Sequence, residues 1–365
     1  MIISVSTRGN CKDKSPRMSL SDINMYDKVA KKFLEQYKKR IVTNTHTKAH
    51  DSQLVSHAKS ILQQNGFANE LARNSMRLCH VYENAEWHSK VMDTLDIELI
   101  YANVDKMNGK EEQYTDNLVK ELLRYFKNDF FKWTNAPPCS QCHDIDTQQY
   151  IRNEGPNHEE SQYQCSGVEV YKCNRCHIET RFPRYNDPIK LLETRQGRCG
   201  EWCNVFTLIL RSFGLEARYV WNKEDHVWCE YYSHFLKGWV HVDSCEASFD
   251  EPFIYAVNWN KKMSYCIAFN KDGVCDVSER YILKNALPRE AISETDLWTV
   301  ITFLTTQLRN QMSDEEILNL YNRDVREQIE WIERKPSSTI DDNNAPKGRQ
   351  SGSVEWKARR GENGN

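Results

Sequence analysis

Apolar residues change their spacing along the chain, and each change marks a different kind of element. From Ser21, the positions Ile23, Tyr26, Val29, Ala30, Phe33, Leu34 and Tyr37 recur at three- and four-residue steps. That spacing predicts an amphipathic helix. Lys28, Lys31, Lys32, Lys38 and Lys39 fall opposite and read as a solvated face. The stripe either packs on the body or docks a partner, and core packing is the expectation for most of it. Helical spacing continues over 51–132, for example 117–131 with Leu118, Leu122, Leu123, Tyr125 and Phe126. Pro137-Pro138 then opens a loop-like, cysteine-bearing stretch over 135–180. A further helix is expected from near Cys199 to Gly214, which suits a left-handed cap. Beyond it the period becomes two, over 217–221, 226–232, 239–243, 264–269 and 274–277, with turn signals such as Lys271-Asp272-Gly273. Two helices close the fold. Ser293 with Asp296 resembles a capping box, and Ser313 with Glu316 fits one better.

The expected organisation is a flexible leader over 1–20, a mainly helical part over 21–134, a cysteine-bearing subdomain over 135–180, a core over 181–288, C-terminal helices over 289–335, and a disordered tail over 336–365. Hydrophobic content of 39% with 28% charge supports a folded chain with ample core. A net charge of -3 makes no case for nucleic acid or a strongly acidic partner. No apolar run is long enough for a membrane span. The first residues lack an h-region and a cleavage site, so a secretory signal is not expected. Thirteen cysteines, an odd number, then argue for reduced thiols in the cytosol or nucleus. Nothing suggests an obligate oligomer, and a monomeric chain is expected.

Four of these cysteines form two C-x-x-C pairs, Cys139/Cys142 and Cys173/Cys176, in CSQCH and CNRCH. C-x-x-C-H alone matches c-type haem attachment, but two haems need an export route that the chain does not signal. A zinc site of four thiolates explains both pairs at once. The intervening 143–172 stretch is longer than usual and must loop out, at an entropic cost that grows only slowly with length. Cys165, His143 and His177 remain alternative ligands. Four protein ligands leave no open position, so the ion is expected to be structural.

GRCGEWCNVF, residues 197–206, holds another pair. Cys199 sits where a loop becomes a helix, near free N–H groups and the positive end of the helix dipole. Both favour thiolate. Cys203 lies one turn deeper among apolar residues and reads as an inert core thiol. A thiol nucleophile needs a base, and the base needs an orienter. Alternation places His226, Trp228 and Glu230 on one face of a strand, and Trp239, His241 and Asp243 on one face of the next. A hairpin turning between His234 and Phe235 sets His226 directly across from Asp243. Asp225 and His241 are rival members of the set.

The stretch GRCGEWCNVFTLILRSFGLEARYVWNKEDHVWCEYYSHFLKGWVHVDSCEASFD resembles the cytosolic peptide:N-glycanase family. The likeness runs on through DEPFIYAVNWNKKMSYCIAF and back through the C-x-x-C knuckles, covering about 115–285. It implies an α+β fold: a transglutaminase-like (papain-like) cysteine hydrolase core, an inserted four-cysteine zinc-binding subdomain and flanking helices. It also implies Cys199 as nucleophile, His226 as base and Asp243 as orienter, with Zn2+ on Cys139, Cys142, Cys173 and Cys176. Trp228, Glu230 and Trp259 fall in segments that line the family's sugar cleft. Trp133 is a candidate oxyanion donor, by analogy with transglutaminases. The implied reaction is hydrolysis of the amide joining an N-glycan to asparagine on misfolded glycoproteins, in support of proteasomal degradation and with a shuttle factor carrying ubiquitin-like and ubiquitin-associated domains as partner. The competing readings are a transglutaminase, a papain-like protease, and a non-catalytic zinc module binding glycans or a partner.

Overall fold

The structure is a computed structural model that describes residues 20–107, 109–333, 348–360 and 362–364. The expected leader therefore lies almost wholly outside the described residues, as does 336–347 of the expected tail. The first apolar stripe forms a long helix, α1 (Leu20–Ala49). Its stripe does not pack on the body as expected: Met25, Tyr26, Val29, Phe33, Leu34 and Tyr37 are all exposed. Burial begins only at Ile41 and Val42, where the helix meets the C-terminal helices.

Helices α2 (Ser52–Gln64), α3 (Gly66–Leu78), α4 (Ala85–Thr94), α5 (Ile97–Val104) and α6 (Tyr114–Tyr125) build the helical part. Asp51, Asn65, Asn84 and Asp96 cap four of them by accepting from free first-turn N–H groups. A short strand, β1 (Lys132–Trp133), leads into the cysteine-bearing subdomain. There β2 (Gln148–Glu154), β3 (Val168–Cys173) and β4 (Glu179–Pro183) form an antiparallel sheet in that order, with the short α7 (His158–Ser161) inside the looped-out stretch. Helix α8 (Pro188–Thr194) follows. Strand β5 (Gln196–Gly197) then pairs with β1 in parallel, bringing Trp133 opposite Gly197.

Helix α9 (Cys199–Ser212) is buried along most of its length, with Val205, Phe206, Leu208 and Ile209 in the main core. Gly214 follows it at φ +73°, the left-handed cap that glycine alone takes without cost. The helix lies against a six-stranded antiparallel sheet of β6 (Ala217–Asn222), β7 (His226–Ser233), β8 (Gly238–Asp243), β9 (Ser248–Phe249), β10 (Cys266–Asn270) and β11 (Gly273–Asp276). Their spatial order is β11-β10-β6-β7-β8-β9.

Helices α10 (Ser278–Tyr281), α11 (Glu294–Arg309) and α12 (Asp314–Glu333) close the body. Ser313 and Glu316 exchange reciprocal capping bonds, whereas Ser293 caps Asp296 N–H one way only. Residues 348–364 are not the expected disordered tail where described. They carry α13 (Val354–Arg359) and bury Arg349 and Glu362.

Candidate active site

The β7–β8 hairpin turns two residues later in pairing than expected. Ser233 pairs with Gly238 and Cys229 with Val242, so the closing loop has four residues with Lys237 left-handed. A two-residue turn on His234 and Phe235 needs positive φ at residues poorly suited to it. The chain takes the longer loop instead. An even shift preserves alternation, so His226 and Asp243 still share a face, diagonally rather than directly opposed. His226 pairs with Asn222 of β6 instead.

His226 Nε2 lies 3.0 Å from Asp243 Oδ2, with both side chains buried. Asp243 Oδ2 also accepts from the Tyr255 hydroxyl at 2.9 Å, and Oδ1 accepts from Cys245 N–H at 2.8 Å. The carboxylate is thus held from three sides. With Nε2–H donated to it, the imidazole presents Nδ1 as a bare base, and Nδ1 has no hydrogen-bond partner among the described residues. His241 is a neighbour one bond removed: its Nε2 is 2.7 Å from Tyr255 Oη, which stands between it and Asp243. Asp225 points elsewhere, in an ion pair with Arg360.

Cys199 is the first residue of α9 and is half-buried. Gly197 is forced: a Cβ there runs into the Glu201 side chain. Glu201 in turn accepts from Arg198 N–H at 2.9 Å and pairs with Arg184 at 2.6 Å. Arg184 and Arg198 both reach Glu169 of β3, and Arg198 also donates to Tyr171 Oη at 3.0 Å. The start of the nucleophile helix is therefore fastened to the sheet that carries the cysteine knuckles. Burial pushes the Cys199 thiol up, against the pull of Arg349 and Arg360. It pushes His226 well below its ordinary value, with Arg349 adding to the effect. In both groups burial is the leading cause and disfavours the charged form. Cys203 is wholly buried, 3.6 Å from Cys229 Sγ, and burial drives its thiol well up.

The other sequence candidates fall in different places. Trp259 is buried with its ring 5.0 Å from His226. Trp228 packs behind His226 on Tyr255 and Tyr281. Glu230 is buried in an ion cluster with Arg218 and Arg280 and accepts from Tyr281 Oη at 2.5 Å. Trp133 stands beside Trp202, and its indole N–H donates to Asn135 Oδ1 at 2.9 Å. Tyr255, Lys261, Arg349 and Glu362 were missed. Tyr255 carried only an aromatic signal, and the last two lie in a stretch whose composition reads as disorder.

The thiols of Cys139, Cys142, Cys173 and Cys176 lie within 4.8 Å of one another, a set that can hold a metal ion. Backbone N–H groups of Gln141 and Cys176 point at Cys139 and Cys173 sulfur at 3.5 and 3.3 Å, as they do around bound thiolates. His143 and His177 are left-handed at the end of each knuckle, and Cys165 donates to Gly167 O. None of the three joins the cluster.

The transglutaminase-like superfamily model matches residues 147–244, and the Rad4 transglutaminase-like domain model matches 221–336. A Saccharomyces cerevisiae peptide-N(4)-(N-acetyl-beta-glucosaminyl)asparagine amidase is 55% identical over 353 residues, covering 93% of this chain and 97% of that one. The chain belongs to this amidase family. Amidases of the same name from Candida glabrata and Kluyveromyces lactis are each 54% identical, covering 93% and 92% of this chain and 99% and 97% of their own. A Rad4–Rad23 structure crosslinked to undamaged DNA overlays with a TM-score of 0.41 at 15% identity, over 80% of this chain and 60% of that one. The family, peptide:N-glycanase, is a deglycosylating amidase on a transglutaminase-like α+β fold, which agrees with the resemblance read from GRCGEW, DHVW and HVD.

Proposed function

We propose that Cys199, His226 and Asp243 carry out this deglycosylation as a nucleophile–base–orienter set. The observation that carries the reading is the buried His226–Asp243 hydrogen bond, which leaves Nδ1 bare. Nδ1 takes the Cys199 proton, and the thiolate attacks the side-chain carbonyl of a glycosylated asparagine. The carbon–nitrogen bond breaks as His226 protonates the leaving glycosylamine. Water, deprotonated by His226, then opens the thioester to leave aspartate. Asp243 holds the imidazole and stabilises its charge throughout. The Cys199 backbone N–H serves the oxyanion. Trp133 is the proposed second donor, which requires its indole N–H to leave Asn135. Trp228, Glu230 and Trp259 keep a sugar-cleft role as proposals, with Trp259 best placed by its closeness to His226.

Zn2+ is the ion proposed for the four cysteines, because a closed set of thiolates suits a tetrahedral structural site. The substrates proposed are misfolded N-glycoproteins on the way to proteasomal degradation, met in the cytosol or nucleus. The exposed apolar stripe of α1 is proposed as the dock for a shuttle factor with ubiquitin-like and ubiquitin-associated domains.

The test is to incubate the full chain with a denatured N-glycoprotein in 18O-labelled water. Free glycan and an asparagine-to-aspartate change carrying the label are the expected products. Incorporation of an added amine without glycan release points to a transglutaminase. Glycan release with unchanged asparagine defeats the amide mechanism.

A further inference from the structure

Chain composition marks 336–365 as solvent-borne, yet the described part lies across the site. We propose that residues 348–364 form an intramolecular plug, seated on ground that a glycopeptide must take, and that substrate enters by displacing it. The proposal rests on the Cys199 assignment above.

The segment touches each wall around the triad. Arg349 is 2% exposed, and its guanidinium stands 5.2 Å from the ring of Trp133 beside the nucleophile loop and 4.9 Å from that of Trp259 beside His226. Trp356 of the segment covers the same guanidinium at 4.6 Å. Glu362, wholly buried, accepts from Lys261 Nζ at 2.6 Å and from Arg349 at 2.8 Å. Arg360 pairs with Asp225, the residue before His226. The N–H groups of Gln350 and Ser351 donate to Glu246, three residues beyond Asp243, at 2.9 and 3.1 Å. One short segment thus bridges the strands and loops that carry Cys199, His226 and Asp243. An aromatic-walled site of this kind is where sugar faces and a peptide chain would otherwise lie.

The contacts also suit an occupant that leaves. They are ion pairs, stacked guanidinium and single hydrogen bonds, with Trp356 as the main apolar anchor, while Val354 is exposed. Nη2 of Arg349 and of Arg360 finds no acceptor among the described residues. Buried donors left unpaired weaken the docked state. The segment lies beyond α12, outside the sheet and α9, so its departure breaks no core element.

The test compares the full chain with its Ser351→Ala/Trp356→Ala double variant, which removes the hydrogen bond to Glu246 and the apolar anchor and keeps the length. Two readouts are taken: alkylation of Cys199 by iodoacetamide, followed by mass spectrometry, and KM and kcat for release of glycan from a denatured glycopeptide. A site open about one-tenth of the time shows an apparent affinity about tenfold weaker than its intrinsic one. The double variant is therefore expected to alkylate Cys199 about tenfold faster and to lower KM about tenfold with kcat held. Faster alkylation with no glycan release from either form supports the plug and defeats the catalytic assignment instead. Unchanged alkylation, slower alkylation or a fall in kcat overturns the plug, the last by making the segment part of the catalytic machinery. A chain ending at Glu333 serves as second variant and must shift both readouts in the same direction.

Discussion

The two ends of the described chain invert what their patterns suggest. Residues 25–37 of α1 carry a regular apolar stripe and lie open, with Phe33 68% exposed. Residues 348–364 are rich in Gly, Ser, Arg and Glu, and their described part buries Arg349 and Glu362. Periodicity reports that a helix has an apolar face, not that this chain supplies its cover. Composition reports that a segment cannot build a core of its own, not that it cannot borrow one. Arg349 and Glu362 enter the interior because tryptophan faces and opposite charges receive them. The knuckle region is a third case, a polar stretch whose four thiols gather in a set that can hold a metal ion.

That third case carries the largest expected effect. Cys173→Ser opens the four-thiol set proposed to hold Zn2+, and a structural zinc ion contributes on the order of 10 kcal/mol of folding free energy in zinc-finger peptides. We expect a fall of roughly 5 °C or more in Tm, together with lost activity, because Glu169 and Tyr171 on the same strand hold Arg198 ahead of the nucleophile. An unchanged Tm by calorimetry contradicts this.

Glu362→Ala comes next, leaving Lys261 and Arg349 without their shared partner. Breaking a buried pair costs on the order of 3 kcal/mol, spent here on the docking of 348–364. Hydrogen exchange should show lost protection in that segment and none in α9. Burial alone would raise the Glu362 carboxyl, but Arg349 and Lys261 bring it down to about 2. A lowered carboxyl value stabilises fully above the unfolded value of about 4.3 and fades as pH falls through the folded one. Protection of the segment should therefore stay flat from about pH 7 to about pH 5 and fall only in stronger acid. A decline beginning near neutrality would show that another group holds the segment.

Ser313→Ala removes a two-way cap from α12, with an expected loss of about 1 kcal/mol by urea denaturation. The smallest effect falls on the open stripe. Phe33→Asp should change stability by no more than about 0.5 kcal/mol and leave glycopeptide release intact. It should abolish binding to a partner that uses this face, read by calorimetric titration with a shuttle factor of the proposed domain type. A marked loss of stability would mean the stripe is covered within the chain.

Much of the site was legible because it depends on local rules. Gly197, Glu201 and Gly214 set the loop, start and end of α9 by steric and capping requirements that act within a few residues. Alternation put His226 and Asp243 on one face, and parity survived a wrong turn length. Register itself was not legible, because His234 to Lys237 offer no Asn-Gly or Gly to force a tight turn. Tyr255 and Glu362 were invisible for a different reason. Each acts through a partner distant in sequence, Asp243 in one case and Lys261 in the other, and no local pattern announces such a contact. Glu230 is a mixed case: it shares a face with His226, and its ion pairs with Arg218 and Arg280 were not legible because both partners lie far along the chain.

The most direct test of the central claim compares Cys199→Ala with Cys203→Ala, both folded, on one denatured glycoprotein. Cys199→Ala is expected to lose glycan release by at least about a thousandfold, while Cys203→Ala retains it within the loss that its stability explains. Release that persists in Cys199→Ala contradicts the account.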